Sequence, residues 1–232
     1  MENLAHIVPR HIAIIPDGNR RWAKEKGFPS LLGHKKGFER TLEIVLHAQK
    51  MGVETITFYA FSTENWNRAK DEVDYLMKLF SIAFDRWINR FHRLGIKIRH
   101  LGDITPLAEA SAKKIKKGIE ITKNNPGMVL QLAINYGGRD EIKRALKQLL
   151  DKNIKSDEIT EDQIAKALDT KSVPDPDLII RTSGEQRLSN FLPWQAAYSE
   201  LYFTPTYWPD FSKKEFDKAV AEYSQRQRRF GS

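Results

Sequence analysis

Apolar residues follow two spacings that alternate along the chain. Short runs of apolar and β-branched residues are typical of buried strands, whereas apolar residues three and four positions apart are typical of amphipathic helices. Strands are predicted at 12–15, 55–60, 96–101, 129–134, 178–180 and 201–203. Helices are predicted at 33–51, 71–94, 106–123, 139–150, 160–168 and 212–228, with a further helix opened by the arginines at 20–21.

This alternation of strand and helix predicts an α/β fold with a mainly parallel six-stranded sheet flanked by helices. No repeat or long linker interrupts the 232 residues, so we expect residues 1–232 to form a single domain. Ligands of such sheets bind beyond the carboxyl ends of the strands. Polar clusters follow five predicted strands, at 17, 62–68, 103, 135–139 and 181–185. We expect these five loops to meet at one rim.

Composition excludes several classes of protein. The chain has no cysteine, which rules out disulfides, thiolate catalysis and cysteine-bound metals. No apolar run approaches the roughly 20 residues of a membrane span. Residues 1–10 lack the apolar core of a signal peptide, so we expect a cytoplasmic protein. The net charge of +8 is compatible with nucleic acid, anionic lipid or a polyphosphate as partner, and composition does not choose among them.

The stretch 11–22 carries the strongest chemical signal. A predicted strand stops at Asp17, a turn at Gly18 and Asn19 follows, and Arg20 and Arg21 open a helix. The acid can hold a divalent cation, while the arginines and the backbone N–H groups of the turn can hold a phosphate. A plain Asp-Gly turn with solvated arginines is the alternative. The strand position and the paired arginines favour metal-assisted diphosphate chemistry.

The loop at 61–68 places several functional groups between a strand and a helix. It contains the hydroxyls of Ser62 and Thr63, the amide of Asn65, the indole of Trp66 and the guanidinium of Arg68. A helix cap requires only one such residue. The loop is therefore predicted to bind a diphosphate and to present an aromatic face to a carbon centre.

A second basic loop follows the fifth predicted strand. Arg181, Arg187 and Ser189 surround a glycine and could cradle a second diphosphate. His34, at the start of a helix, is either a diphosphate contact or a structural histidine. Glu200, just before a strand, is either a surface residue or a second Mg²⁺ ligand, and its spacing leaves both open.

Absent motifs exclude other chemistries. The chain has no G-x-x-x-x-G-K-[ST] loop, no pair of adjacent aspartates, no nucleophile elbow and no histidine cluster. These absences argue against P-loop NTPases, aspartate-rich diphosphate sites, serine hydrolases and zinc enzymes. A haloacid-dehalogenase-like phosphatase would need an acid two residues after Asp17, where Asn19 stands.

Several long motifs together resemble the cis-prenyltransferase family, and in particular the bacterial undecaprenyl diphosphate synthases. They are HIAIIPDGNRRWA, LLGHKKG, TFYAFSTENWNR, LAINYGGRDEI, PDPDLIIRTSGEQRLSNFLPWQAAYSELYF and the terminal RRFG, and they span residues 9–231. The resemblance implies condensation of isopentenyl diphosphate onto an allylic diphosphate, expected to be farnesyl diphosphate, with each new double bond cis. The implied product is a polyprenyl diphosphate such as undecaprenyl diphosphate, used for a cell-wall lipid carrier.

The resemblance also assigns roles to individual residues. Asp17 would position Mg²⁺, Glu200 would be the second metal ligand, and Asn65 would assist proton removal. The allylic diphosphate would be held by Gly18, Asn19, Arg20, Arg21, Trp22, His34, Ser62, Thr63, Glu64, Trp66 and Arg68. The diphosphate of isopentenyl diphosphate would be held by Arg181, Arg187, Leu188 and Ser189.

The family implies a homodimer in which the segment 226–232, with its Arg229-Phe230-Gly231, reaches the partner subunit's site. It implies no nucleic-acid partner, and peripheral membrane contact through the lipid product. Ser30 stands where the family usually has a basic residue, and Gln186 replaces a histidine sometimes credited with metal contact. The alternative is a non-catalytic, prenyltransferase-like partner subunit.

Overall fold

Parallel strands form the centre of the computed structural model, which describes residues 7–152 and 154–226. The strands are β1 (His11–Ile15), β2 (Thr55–Ser62), β3 (Lys97–Leu101), β4 (Val129–Tyr136), β5 (Leu178–Arg181) and β6 (Glu200–Phe203). Within this part of the chain they form one six-stranded sheet of order β3-β4-β2-β1-β5-β6. All neighbouring pairs run parallel. The predicted fold class is confirmed.

Helices connect the strands and cover the sheet. They are α1 (Asn19–Glu25), α2 (Ser30–Lys50), α3 (Lys70–Arg93), α4 (Glu109–Thr122), α5 (Gly138–Asp151), α6 (Glu161–Ala167) and α7 (Lys213–Gln225). Short 3₁₀ turns lie at Thr63–Asn67, Ser156–Glu158 and Trp208–Asp210. Among the described residues, no helix is long and apolar enough to cross a membrane.

The element boundaries depart from the sequence prediction in places. Helix α2 begins at Ser30, directly after Pro29, rather than at position 33. Strands β2 and β4 run two residues further than predicted, and their pairing becomes irregular between Tyr59 and Ser62. The last predicted helix, at 212–228, extends beyond the described residues, as does most of the segment 226–232.

The hydrophobic core has two unequal layers. Successive residues of a strand point to opposite faces, so Ile12 and Ile14 pack in a large layer beneath α2, α3, α4 and α7. Ala13 and Ile15 pack on the other face, in a smaller layer with Phe191. The larger layer contains the principal cavity.

Candidate active site

A cavity of about 1260 Å³ opens at the carboxyl ends of β1, β2 and β5 and extends between the sheet and helices α2 and α3. Its mouth is polar and its interior is apolar. The interior is lined by Phe38, Leu42, Val45, Phe58, Leu76, Phe80, Ala83, Phe84, Trp87, Ile88, Phe91, Ile98, Leu130, Leu132 and Ile134. Polar side chains converge where the strands end, as expected for a parallel sheet.

Asp17 and Arg181 form the centre of the mouth. Arg181 Nη2 donates to Asp17 Oδ2 at 3.0 Å, and Arg21 Nη2 lies 3.4 Å from the same oxygen. Arg181 is only 4% exposed, and its Nη1 donates to Ser189 Oγ at 2.8 Å and to the carbonyl of Arg187. Three oxygen atoms therefore fix the buried guanidinium beside the carboxylate.

Glycines fix the turn after Asp17. Gly18 has φ +102°, and a Cβ at this position would lie 2.6 Å from Tyr207 and 2.9 Å from Ser183. A Cβ at Gly33 would lie 2.0 Å from the backbone oxygen of Asn19, and one at Gly37 would lie 2.3 Å from its Oδ1. Helix α2 thus packs tightly on α1 and determines where Asn19 lies.

Glu72 links three basic side chains at the mouth. It accepts from His34 Nε2 at 3.0 Å and from Arg68 Nη1 at 2.9 Å, and it lies 3.7 Å from Arg20. Burial raises the pKa of Glu72, but His34, Arg68 and Arg20 outweigh it, so this pKa lies below its usual range. Burial also lowers the pKa of His34, which its bond to Glu72 only partly offsets.

The loop after β2 orients its own polar groups. Asn65 Oδ1 accepts from the backbone N–H of Ser62 at 3.1 Å, while Asn190 Nδ2 donates to Glu64 Oε1 at 3.0 Å. Trp66 instead donates through Nε1 to Asn135 Oδ1 at 2.8 Å. Asn65 and Glu64 line the cavity, whereas Trp66 turns toward β4.

Most of the predicted site residues come together. The cavity is lined by Asp17, Gly18, Asn19, Arg20, Arg21, His34, Ser62, Glu64, Asn65, Arg68, Arg181 and Ser189. Six others lie outside its lining: Trp22, Thr63, Trp66, Arg187, Leu188 and Glu200.

Three of the residues outside the lining have a local reason for their position. Trp22 is buried behind the mouth, with its ring 6.0 Å from that of Phe28. Leu188 packs in the smaller hydrophobic layer. Arg187 donates to Glu185 at 2.5 Å, and Glu185 also accepts from Arg21 at 2.9 Å, so Arg187 reaches the mouth through a shared carboxylate.

The prediction that five loops meet at one rim is wrong in part. The loops after β1, β2 and β5 supply the mouth, because these three strands are neighbours in the sheet. Asp103 and Asn135, after β3 and β4, line a separate pocket of about 380 Å³ together with Thr63 and Trp66. Strand order, which the sequence pattern does not reveal, divides the loops in this way.

Glu200 does not join Asp17 within one chain. It is the first residue of β6 and pairs with Leu178, the first residue of β5, whereas Arg181 is the last. Glu200 therefore lies three residues, about 10 Å along the strands, from the level of Arg181. Its Oε2 accepts from Arg226 Nη1 at 2.8 Å.

Sequence reasoning missed Lys24, Tyr59 and Asn190, which line the cavity, and Glu72, which bonds to His34 and Arg68 of the lining. Glu72 stands four residues after Arg68, a spacing that pairs side chains on helices and could have revealed it. Lys24 stands four residues after Arg20 and, like Ser30, lines the cavity. Tyr59 and Asn190 carried no comparable signal.

The mouth fits a magnesium ion held by one protein carboxylate. No group of three or more His, Asp or Glu side chains within the described residues could hold a metal by itself. Mg²⁺ commonly takes one or two carboxylates and completes its shell with substrate phosphates and water. The Asp17 side chain, 31% exposed and lining the cavity, suits that arrangement.

Comparison with known proteins gives the family. The family model described as "Putative undecaprenyl diphosphate synthase" matches residues 15–231. The chain belongs to this prenyltransferase family. An isoprenyl transferase from Streptococcus pyogenes serotype M6 is 49% identical, covering 97% of this chain and 93% of the relative. One from Clostridium perfringens is 48% identical, covering 97% of this chain and 90% of the relative.

Two solved structures share the fold. Lavandulyl diphosphate synthase from Lavandula x intermedia, in complex with dimethylallyl diphosphate, has TM-score 0.94 and 35% identity. A probable undecaprenyl diphosphate synthase from Campylobacter jejuni has TM-score 0.82 and 32% identity. Each match covers 97% of this chain and 99% of the other. This member of the family is thus a prenyltransferase similar to the isoprenyl transferases, a class that elongates prenyl chains.

Proposed function

We propose that this prenyltransferase adds isopentenyl diphosphate units to an allylic diphosphate, with each new double bond cis. The first allylic substrate is farnesyl diphosphate. The product is a polyprenyl diphosphate such as undecaprenyl diphosphate. The observation that carries the proposal is one cavity that joins a cation-rich mouth to an apolar interior of a size suited to a long hydrocarbon chain.

The charge of the mouth supports diphosphate substrates. Among the described residues of the lining, Arg20, Arg21, Lys24, Arg68 and Arg181 are cationic, against two carboxylates. Guanidinium groups bind phosphate oxygens through charge-assisted hydrogen bonds. The α1 arginines, His34 and Arg68 would hold the allylic diphosphate, while Arg181, Ser189 and Arg187 would hold that of isopentenyl diphosphate.

The same groups would promote the reaction. Negative charge grows on the departing diphosphate as its bond to the allylic carbon breaks, and preorganised guanidinium groups stabilise that charge. Asp17 is the residue that would hold Mg²⁺, and the ion would neutralise further diphosphate charge when bound. Holding both substrates in one mouth removes much of the entropic barrier. Asn65 is a poor base, so it would orient the isopentenyl group while a diphosphate oxygen accepts the proton.

The interior favours elongation over a single condensation. Its volume of about 1260 Å³ exceeds the roughly 300–1,000 Å³ of pockets for drug-sized ligands. Aromatic and aliphatic side chains line it, and they would exclude water from the growing chain. A small branched or linear product would leave most of this space empty.

A homodimer would complete the site. Glu200 lies away from Asp17 in its own chain and beside Arg226, so a role as second metal ligand requires a second copy. The motif Arg229-Phe230-Gly231, proposed to reach the partner subunit's site, lies outside the described residues. Membrane contact would come through the lipid product.

The decisive experiment measures Mg²⁺-dependent incorporation of labelled isopentenyl diphosphate with farnesyl diphosphate. We expect the wild-type protein to make a long polyprenyl product, Asp17→Ala to lose it, and Asp151→Ala, on the exposed end of α5, to retain it. Absence of product from folded wild-type protein with every allylic primer would overturn the proposal and favour the non-catalytic partner subunit.

A further inference from the structure

A glycine of α4 lies directly behind the cavity wall. Gly118 is buried, and a Cβ at this position would lie 3.0 Å from Phe84 Cδ1 and Cε1 and 3.3 Å from Ile88 Cδ1. Both neighbours belong to α3 and line the cavity. Gly118 itself does not line it. Phe84 and Ile88 therefore occupy space that a side chain at position 118 would fill.

These contacts lie in the deep half of the cavity. Glu72, bonded to His34 and Arg68, marks the mouth end of α3. Phe84 follows it by twelve residues, which corresponds to about 18 Å along a helix axis. The deepest lining includes Ile98 and Leu130, near the amino ends of β3 and β4, at the edge of the sheet opposite the mouth.

Helix α4 cannot easily retreat from an added methyl group. Its Thr122 Oγ1 accepts from the backbone N–H of Ile98 at 3.0 Å, its Ile115 is 2% exposed in the core, and its Lys114 pairs with Asp85 of α3. Phe84, by contrast, borders open space on its cavity side. Close-packed interiors yield where there is space. A side chain at position 118 would therefore move the ring into the cavity.

We propose that Gly118 is a positioning residue that sets the width of the deep cavity, and through it the longest prenyl chain the enzyme makes. The effect is transmitted by Phe84 and Ile88. Early condensations take place near the mouth and would not sense position 118. A test by product chain length rests on the proposed function, whereas a test by ligand binding rests on the cavity alone.

The product readout compares chain lengths. Gly118→Ala is expected to shift the products toward shorter chains by at least one isoprene unit, while the rate of the first condensation stays unchanged. Lys117→Ala, an exposed neighbour on α4, should leave the products as in the wild type. Gly118→Ala combined with Phe84→Leu should restore longer chains, because the smaller side chain returns the lost space. An unchanged distribution in folded Gly118→Ala would overturn the inference.

The binding readout does not need catalysis. Isothermal titration with decyl phosphate and eicosyl phosphate separates a short tail from a long one. Gly118→Ala should bind eicosyl phosphate about tenfold more weakly than the wild type does, as expected for overpacking by one methyl group, and decyl phosphate equally well. Equal affinities of the two proteins for both phosphates would overturn the inference. A selective loss in a protein that makes no prenyl product would instead refute the proposed function alone.

Discussion

His34 on α2 donates a hydrogen bond to Glu72 on α3, with 3.0 Å between Nε2 and Oε1. This bond joins the two helices that wall the cavity, at the level of its mouth. The same carboxylate accepts from Arg68, so one acidic side chain holds two groups expected to face a diphosphate.

Replacing Glu72 by Gln should therefore lower activity without removing any substrate contact. The amide keeps the shape of the carboxylate but loses the charge that holds Arg68 and His34. We expect kcat/KM for the allylic substrate to fall about tenfold, the size of one charge-assisted hydrogen bond. Steady-state kinetics would measure it, with Glu39→Gln on the exposed face of α2 as the control. An unchanged KM and kcat would contradict a positioning role.

The two glycines of α2 should respond differently to alanine. At Gly33 the added Cβ meets the backbone oxygen of Asn19, which cannot move without separating α1 from α2. At Gly37 it meets only the side chain of Asn19, which can rotate away. Gly33→Ala should destabilise the fold by about 3 kcal/mol, the upper range for overpacking. Gly37→Ala should fold but bind diphosphate more weakly.

Urea unfolding and inorganic diphosphate titration separate these outcomes. Lys36→Ala, exposed on the same helix, serves as the control for an alanine that meets no buried neighbour. Equal stability of the two glycine variants would show that α1 and α2 adjust more freely than their contacts indicate.

Arg181→Lys should weaken diphosphate binding although it preserves the charge. The guanidinium reaches Asp17, Ser189 and the Arg187 carbonyl together, and an ammonium group cannot reproduce that fork. We expect the binding free energy for inorganic diphosphate to weaken by about 2 kcal/mol, which raises the Kd roughly thirtyfold. Calorimetric titration would measure it against Arg10→Lys, an exposed arginine far from the mouth. A Kd within a factor of two of the wild type would refute the prediction.

Ser30→Arg and Lys24→Ala should act in opposite directions. Both positions line the cavity, and the lysine is a cation that sequence reasoning overlooked. A guanidinium at position 30 should tighten diphosphate binding severalfold, whereas loss of the ammonium should weaken it to a similar degree. Competition by inorganic diphosphate in the condensation assay would measure both. Changes of the same sign would refute the assignment.

Stability should fall as the solution becomes acidic through the range in which histidine titrates. Burial lowers the pKa of His11 from 6.5 to about 4, although the carbonyl of Pro174 partly opposes this. Because the unfolded chain binds this proton first, stability is fully present above pH 6.5 and is lost as pH falls toward about 4. The shift corresponds to about 3 kcal/mol.

Urea unfolding at a series of pH values tests this dependence. His11→Gln should be less stable at neutral pH, because it changes the hydrogen bonds that the ring forms with Thr57 and Pro174. Its stability should nevertheless vary less across the acidic range. A variant with the same pH dependence as the wild type would assign the effect to His34 and His100, whose pKa values are also lowered by burial.

The sequence pattern predicted what depends on neighbours along the chain. Strand and helix periodicities identified all six strands, and the polar residues after β1, β2 and β5 identified most of the mouth. Asp17 and Arg181 were each recognised, but their hydrogen bond joins residues 164 positions apart and depends on β1 lying beside β5. Periodicity does not encode strand order, so neither this pairing nor the separate pocket at Asp103 could be predicted.

The hydrophobic periodicity also does not predict the tertiary contacts of glycines and charged residues. Gly33, Gly37 and Gly118 look alike in sequence, yet an added Cβ would meet the backbone of Asn19, the side chain of Asn19 and the ring of Phe84, respectively, and only packing distinguishes them. The position of Glu200 beside a strand left it open between a surface residue and a second Mg²⁺ ligand, and only the family resemblance assigned it to the metal. Within one chain the residue stands at the amino end of β6, at the edge of the sheet opposite the mouth, and periodicity does not predict this register.

Helix α3 connects the two parts of the cavity, because Glu72 in its first turn holds His34 and Arg68 at the mouth and its aromatic side chains line the interior. The head and the tail of one ligand are then coupled through the same helix, and such coupling is reciprocal. If the hydrocarbon tail stabilises this helix against the sheet, it also increases the affinity of the mouth for the phosphate head. Diphosphates with identical heads should therefore differ in affinity by more than the contact area of their tails alone predicts.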